Sequence, residues 1–347
     1  MATASPPVPR AGYLWAWLPG SRTAVPVGQV AAREGRFQFR YMLAYLENPV
    51  AVSLYEPELP LRRGWIPPRE NMTIAGVLKD ASPDSWGQRV IITRLTGTRG
   101  IAAADVELDT LTYLLESRSN RIGGLDFQSS AETYMARSSG ASLLELHTAA
   151  QDLVAGTLSP ELAEALQYCT AIGGARPKAI IVDEDGGEWV AKFSLSTDLY
   201  PVVKAEAAGM RLAARVGIDV PDVRVVTAGG RDVLLVRRFD RPGDGTRRMM
   251  VYDLLPHLRT SYEVRQAMDI GRAPTPDQSG DRDSKRTTCV NAAGEYNLSG
   301  REAAEIFDRQ IDVIAESWRD VADEVGLTRE QADSLFGTTV LPSYALT

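Results

Sequence analysis

The spacing of apolar positions along the chain predicts both strands and helices. Between residues 11 and 46, short apolar runs separated by glycine-containing turns are typical of β-strands. From residue 103 to residue 165 the apolar positions recur mostly at helical spacing, with the stretch RIGGLDF as an interruption. Beyond residue 173, strand-like and helical segments alternate. The pattern therefore predicts an α+β fold.

Residues 173–240 predict a hairpin, a helix and a second hairpin, in that order. In AIIVDEDGGEWVAKFS two apolar runs flank the turn sequence Asp-Gly-Gly, and in VRVVTAGGRDVLLVRRF two more flank Ala-Gly-Gly. Between them, the helical segment VVKAEAAGMRLAARVGI ends at Gly217. This order of elements is that of the small lobe of a protein kinase.

Local signals predict further helices. Asp84 or Ser85 is expected to cap a helix that begins near Trp86. Near the C-terminus an apolar stripe predicts a helix with a buried face, which Gly326 ends. The stripe comprises Phe307, Ile311, Ile314, Trp318, Val321 and Val325. A short helix is predicted for LTREQADSLF, and a polar loop for residues 273–290.

The composition excludes several classes of protein. With a net charge of −7, the free chain is expected to bind nucleic acid poorly, because non-specific affinity comes from neutralising phosphates. Two cysteines, two histidines and the absence of a CxxC pair predict no zinc site. The N-terminal sequence predicts neither a signal peptide nor a membrane span, so a cytoplasmic location is expected.

A glycine-rich loop beside a strand-end lysine is the first candidate for chemistry. Glycines let the backbone approach an anion closely, and the loop adds two cations. Lys192 ends the second strand of the first hairpin, where a lysine can reach phosphates under such a loop. Glu206, on the following helix, could hold Lys192 in position. The loop residues concerned are Gly173, Gly174, Ala175, Arg176 and Lys178.

Two aspartates that follow apolar segments are the second candidate. Asp240 follows a strand in RRFDR, beside Arg238 and Phe239, where a kinase chain crosses between its lobes. Asp253 in VYDLLP can hold Mg²⁺ together with phosphate oxygens. Each motif alone has a plainer explanation: a solvated lysine, an ordinary turn, a salt-bridged surface turn or a helix-capping aspartate. Their order along the chain favours a nucleotide site.

These motifs resemble the HipA family of toxin-type serine/threonine kinases over nearly the whole chain. PVGQV, LPLRRGW and LKDASPDSWGQRV resemble the family's small β-rich N-terminal subdomain. GGARPKA, WVAKFS, EAAGMRLAARVGI and VRRFDR resemble its kinase-like small lobe, a twisted sheet plus a helix. VYDLLP and LSGREAAEIF resemble its mostly helical C-terminal lobe. The resemblance implies three domains: residues 1–105, residues 106–240 with linker helices, and a truncated helical lobe at 241–347.

The resemblance also implies ligands and partners. Lys192 would contact the phosphates of ATP, the glycine-rich loop would cover them, Asp240 would bind the ribose, and Asp253 would hold Mg²⁺. The family's usual substrate is an aminoacyl-tRNA synthetase, which it inactivates by phosphorylation. Its usual partner is a HipB-like DNA-binding antitoxin, so DNA is expected to be reached only through that partner, and no membrane contact is expected.

Two features depart from the family pattern. Asp240 and Asp253 are only thirteen positions apart, which leaves no room for the catalytic loop that carries the base and a metal-binding Asn. An internal deletion, an altered chain or a stretch missing after Arg248 would each explain this. The family's regulatory serine corresponds to Ala171, with Thr170 beside it.

The identity of the catalytic base is therefore unknown, and phosphoryl transfer is expected to be impaired. Three hypotheses remain open. The first is a HipA-like kinase toxin, active if the missing segment is present in the real molecule. The second is a catalytically dead remnant or pseudokinase that binds nucleotide or a HipB-like antitoxin. The third is a generic ATP-binding module outside the kinases, which the order of the motifs disfavours.

Overall fold

The computed structural model describes residues 9–98, 100–137, 143–157, 177–248 and 285–346. These residues fall into two compact units. The first unit extends to Phe193 and resumes at Arg237, and the second contains residues 194–236 and the described residues from 285 onward. Helices and antiparallel strands occur together, which confirms the predicted α+β class. The domain boundaries after residues 105 and 240 stay predictions.

A four-stranded antiparallel sheet organises the first unit, in the order β3-β2-β1-β4. Its strands are β1 (Ala11–Ala16), β2 (Val25–Arg33), β3 (Arg36–Tyr41) and β4 (Leu125–Gln128). Strand β4 pairs with β1 from far along the chain, with Leu125 opposite Ala16. Part of the interruption RIGGLDF is thus a strand, and four residues are too few to show strand periodicity in the sequence.

The glycine of PVGQV is required by close packing inside this sheet. A Cβ on Gly28 would lie 2.3 Å from Cζ of Phe39 and 2.5 Å from the carbonyl oxygen of Arg40. Both distances are far below a van der Waals contact, and the carbonyl belongs to a paired strand that cannot move aside. The Phe39 ring is fully buried, so its packing explains a glycine in a strand interior.

Helices cover the sheet of the first unit, and their starts follow the sequence. Asp84 caps α3, since its carboxylate accepts a hydrogen bond from the Gly87 amide at 2.8 Å, which confirms the predicted start of that helix. The helical elements are α1 (Leu43–Leu46), α2 (Gly76–Asp80), α3 (Ser85–Thr96), a 3₁₀ turn (Gly100–Asp105), α4 (Thr110–Glu116) and α5 (Leu143–Ala155).

The first predicted hairpin is present, formed by β5 (Lys178–Val182) and β6 (Glu188–Phe193). Asp183 organises its turn by accepting hydrogen bonds from the Gly187 amide at 2.6 Å and from Trp189 Nε1 at 2.8 Å. Those two bonds fix the end of the hairpin, and with it the register of the two strands.

The predicted helix and second hairpin follow. Gly217, with a φ of 91°, lies just beyond the helix, and Gly229 and Gly230 form the hairpin turn with φ values of 57° and 75°. These left-handed values favour glycine. The remaining elements are α6 (Val202–Arg215), β7 (Val223–Ala228), β8 (Arg231–Arg237), α7 (Arg286–Asn291), 3₁₀ turns (Ala293–Tyr296 and Ser343–Leu346), α8 (Gly300–Glu324), α9 (Arg329–Leu335) and a π-helical turn (Phe336–Val340).

The predicted C-terminal stripe is buried only in its second half. Trp318, Val321 and Val325 are buried and pack in one core with α6 and α9. Of the earlier members, Ile314 is half-buried and packs against the same core, and Phe307 and Ile311 are half-buried, so burial is complete only in the second half of the stripe. Helix α8 has 25 residues and α6 only 14, so α8 extends about 16 Å beyond the length that α6 can cover.

No helix among the described residues combines the length and the apolarity needed to cross a membrane.

Candidate functional site

Several predicted site residues lie outside the described residues. They are Gly173, Gly174, Ala175, Arg176 and Asp253, together with Thr170, Ala171 and the position that follows Arg248. Their predicted roles stay predictions. Among the residues that the structure does describe, no group of three or more His, Cys, Asp or Glu side chains could hold a metal ion.

Two lysines of the predicted site face each other across the first hairpin. Lys178 and Lys192 are direct partners in the antiparallel register of β5 and β6. Directly opposite residues place their side chains on the same face of a sheet, with Cβ atoms about 5 Å apart. Like charges in this arrangement repel, so the pair requires nearby anionic groups. The sequence identified both lysines but not their register.

The two faces of this hairpin differ in burial. On one face, Trp189, Ala191 and Phe193 are buried, and the Phe193 ring stacks on His147 of α5 with centroids 5.2 Å apart. The other face carries both lysines and, between them and the turn, the half-buried pair Ile180 and Val190. The lysine face therefore combines positive charge with partly accessible apolar surface.

Lys178 is a buried cation held by a helix cap. It is 3% exposed, and its Nζ lies 3.5 Å from Oδ2 of Asp84. The other carboxylate oxygen of Asp84 accepts the Gly87 amide at the start of α3. Burial raises the pKa of Asp84 above its ordinary value, although the Gly87 amide and the Lys178 charge act in the opposite direction.

Lys192 and Glu206 occupy the predicted elements. Lys192 is half-buried near the end of β6, and Glu206 is half-buried on α6. The two residues belong to different compact units, and a contact between them stays a prediction.

The RRFDR motif builds a buried polar cluster around Asp240. The Asp240 carboxylate accepts four hydrogen bonds: from Arg238 Nε at 3.0 Å, Arg238 Nη2 at 2.7 Å, Arg241 Nη1 at 2.8 Å and the Gly123 amide at 2.7 Å. Burial alone would raise the pKa of Asp240, but the hydrogen bonds and charges of the two arginines hold it below its ordinary value. Asp240 is thus a buried, ionised acceptor.

The cluster ties the motif to the loop before β4. Arg238 Nη2 donates to the carbonyl oxygen of Arg121 at 2.7 Å, and its Nη1 donates to Oδ1 of Asn120 at 2.7 Å and Oε2 of Glu188 at 3.2 Å. Burial, followed by the charge of Arg238, lowers the pKa of Arg241 to about 9. None of these partners was predicted from the sequence, where RIGGLDF stood out only as an interruption of the helical pattern.

A second buried ion-pair cluster lies beside the first. Arg121, 1% exposed, donates to Asp126 of β4 at 3.1 Å, and Arg137 donates to the same oxygen at 2.7 Å. Burial would raise the pKa of Asp126, but the charges of Arg121 and Arg137 hold it below its ordinary value. These ion pairs hold Arg121 in place, and its carbonyl oxygen accepts a hydrogen bond from Arg238 of the RRFDR motif.

Within RRFDR, Arg238 and Asp240 are therefore buried inside the protein. Two residues of the motif are exposed: Arg237, and Phe239, which is 53% exposed. Beyond the motif, the Arg247 guanidinium lies 3.4 Å from the centroid of the Trp17 ring. Because the Asp240 carboxylate is already engaged by four donors, a ribose contact would have to share or displace them. The ribose role of Asp240 stays a prediction.

The comparison with protein families identifies the segment that holds these residues. Residues 170–288 match the model of the HipA-like C-terminal domain. This segment is similar to the HipA family and covers about a third of the chain. The matched HipA segment contains every residue of the predicted nucleotide and metal site, from the glycine-rich loop to Asp253.

Other comparisons add less about this chain. No curated protein sequence matches it significantly. The HipA of Shewanella oneidensis MR-1, solved in a toxin–antitoxin complex with HipB and operator DNA, is 14% identical, with a TM-score of 0.40. That match covers 69% of this chain and 54% of the other, so this chain spans about half the length of that HipA. Similarity at this level establishes neither a common fold nor a common function.

Proposed function

We propose that this protein binds Mg-ATP on the lysine face of the β5–β6 hairpin and is a HipA-like serine/threonine kinase toxin whose phosphoryl transfer is impaired. The observation that carries the proposal is the register pair Lys178 and Lys192. Two ammonium groups on one face of a hairpin form a site for a polyphosphate anion, and in sequence the glycine-rich loop leads directly into this hairpin.

The described residues fit a nucleotide. The phosphates require cations, which the two lysines supply, and the base requires flat apolar surface, for which Ile180 and Val190 lie on the same face. ATP would supply the transferable γ-phosphoryl group. Lys192 would hold its phosphates by charge, and Asp253 would hold Mg²⁺ against them. Exposed Phe239 is available to contact the base.

The proposed impairment concerns the missing general base. Asp244 is the one aspartate between Asp240 and Asp253. It is exposed, and its Oδ1 accepts hydrogen bonds from the Thr246 amide at 2.8 Å and from the Thr246 hydroxyl at 2.5 Å. Those bonds lower the pKa of Asp244, which makes it a weaker base. This observation favours the alternative of a pseudokinase remnant that still binds nucleotide.

A phosphotransfer assay tests the proposal. The purified protein and a Lys192→Ala variant would be incubated with labelled ATP, Mg²⁺ and a candidate aminoacyl-tRNA synthetase, and Mg-ATP binding would be measured in parallel. We expect binding by the parent protein, loss of binding in the variant, and transfer far below that of intact kinases. Robust transfer that disappears in Lys192→Ala would contradict the impairment. Absence of Mg-ATP binding by the parent protein would contradict the nucleotide site.

The proposed partner is a HipB-like antitoxin that docks on the N-terminal sheet and brings the protein to DNA. The match of residues 170–288 to the HipA-like C-terminal domain supports this, and so does the net charge of −7, which opposes binding of the free chain to phosphates. A DNA mobility-shift titration of the isolated chain would test it. Tight, salt-sensitive binding without any partner would contradict the proposal.

A further inference from the structure

The motif LKDASPDSWGQRV contributes a residue to the lysine face that the proposed function does not use. Its Asp84 comes from the start of α3, outside the HipA-like segment at 170–288, yet its carboxylate lies 3.5 Å from Lys178 Nζ. Both side chains are largely removed from solvent, with exposed fractions of 15% for Asp84 and 4% for Lys178. A pair this buried is not a screened surface contact.

The two oxygens of Asp84 have separate tasks. Oδ1 accepts the Gly87 amide and caps α3, and Oδ2 faces Lys178. The cap holds the carboxylate in place, so its negative charge is fixed beside the lysine pair rather than carried on a mobile side chain. The cap needs an oxygen acceptor only, whereas the contact with Lys178 depends on charge.

We propose that Asp84 is a built-in counter-ion of Lys178 that competes with nucleotide phosphates for the lysine pair and so sets the affinity of the site. The proposal rests on the proposed nucleotide site. Lys178 and Lys192 repel each other, and a nearby anion reduces that repulsion. In the free protein this anion is the Asp84 carboxylate, and in the nucleotide complex it would be a phosphate group. Asp84 is a positioning residue, since it acts through Lys178.

The Asp84→Asn variant separates the two tasks. Asparagine caps helices about as well as aspartate, so α3 keeps its start, while the negative charge is removed. Asp109→Asn is the matched control, because Asp109 caps α4 in the same way, by accepting the Thr112 amide at 2.9 Å. We would measure dissociation constants by calorimetry for Mg-ATP, ADP, AMP, adenosine and inorganic tripolyphosphate.

The expected result follows the charge of the ligand. Asp84→Asn should bind Mg-ATP and tripolyphosphate about tenfold more tightly than the parent protein, as expected for removal of one nearby negative charge. The gain should shrink through ADP and AMP and vanish for adenosine, and Asp109→Asn should match the parent protein throughout. Unchanged or weaker binding of the phosphate ligands by Asp84→Asn, or an equal change for adenosine, would overturn the proposal.

A double-mutant cycle tests the ion pair without any ligand. If the parent protein binds neither Mg-ATP nor tripolyphosphate, the nucleotide site itself fails, and the counter-ion is then judged by urea unfolding. Asp84→Asn should lower the unfolding midpoint in the parent background but not in a Lys178→Met background. Equal, additive shifts in both backgrounds would show that Asp84 and Lys178 do not interact and would overturn the role of Asp84.

Discussion

Replacement of Asp240 by asparagine should destabilise the first compact unit by about 3 kcal/mol. The change keeps the shape of the side chain but removes the charge that three arginine N–H groups and the Gly123 amide bind. Arg238 and Arg241 are 2% and 7% exposed, so neither can recover full hydration. Hydrogen bonds to charged groups contribute about 1.5–3 kcal/mol each, and an uncompensated buried charge costs about 3–5 kcal/mol.

Urea unfolding followed by tryptophan fluorescence measures this loss. Five of the six tryptophans lie in the first unit, so the signal reports mainly on it. Asp244→Asn is the control, because Asp244 is an exposed aspartate of the same loop, and we expect no measurable effect from it. A free energy of unfolding for Asp240→Asn within about 0.5 kcal/mol of the parent value would refute the structural role. Loss of ATP affinity at unchanged stability would instead favour the ribose role.

Three further predictions concern the two units separately. Trp318→Ala should lower the free energy of unfolding by about 3–5 kcal/mol, because the indole is buried and its Nε1 donates to the carbonyl oxygen of Ala332. Calorimetric melting measures this loss, and a value below about 1 kcal/mol would contradict the prediction. Ser299→Ala should lower the free energy of unfolding by about 1 kcal/mol in chemical denaturation, because Ser299 forms a capping box with Glu302 at the start of α8. An unchanged free energy of unfolding would mean that the first turn of α8 frays in the parent protein. Because the pKa of Asp126 is lowered in the folded protein, its carboxylate stabilises the fold above the unfolded-state pKa near 4, and this stabilisation is lost as the pH falls. The free energy of unfolding, measured from pH 6 to pH 2, should therefore drop below about pH 5. A drop no larger than that of Asp126→Asn would count against the ion pairs.

The elements that could be predicted from sequence are those with local signals. Turn residues fixed both hairpins, and the Asp84 cap fixed the start of α3. Strand β4 could not be predicted, because it has only four residues and its partner β1 is distant in sequence. The partial burial of the first half of the C-terminal stripe was also unpredictable, since burial depends on which elements pack against each part of α8.

In the candidate site too, residues with local sequence signals were predictable and contacts between distant segments were not. Lys178, Lys192 and Asp240 were identified as polar residues placed after glycine turns or at strand ends. Asp84, Asn120 and Gly123 were not predicted to be their partners, because these contacts join segments that are distant in sequence and produce no pattern along the chain. An unbonded aspartate and a fully bonded one look the same in a sequence. Only the structure separates the lysine face from the buried arginine cluster.

Equilibrium titration of Mg-ATP against the parent protein, Lys192→Ala and Lys79→Ala tests the central claim most directly. Lys79 lies on α2 in the same unit and is half-buried like Lys192, so it controls for the loss of one positive charge. We predict saturable binding by the parent protein and by Lys79→Ala, with affinity at least about tenfold weaker in Lys192→Ala. Equal affinity in all three proteins, or no binding to any of them, would contradict a nucleotide site on the lysine face.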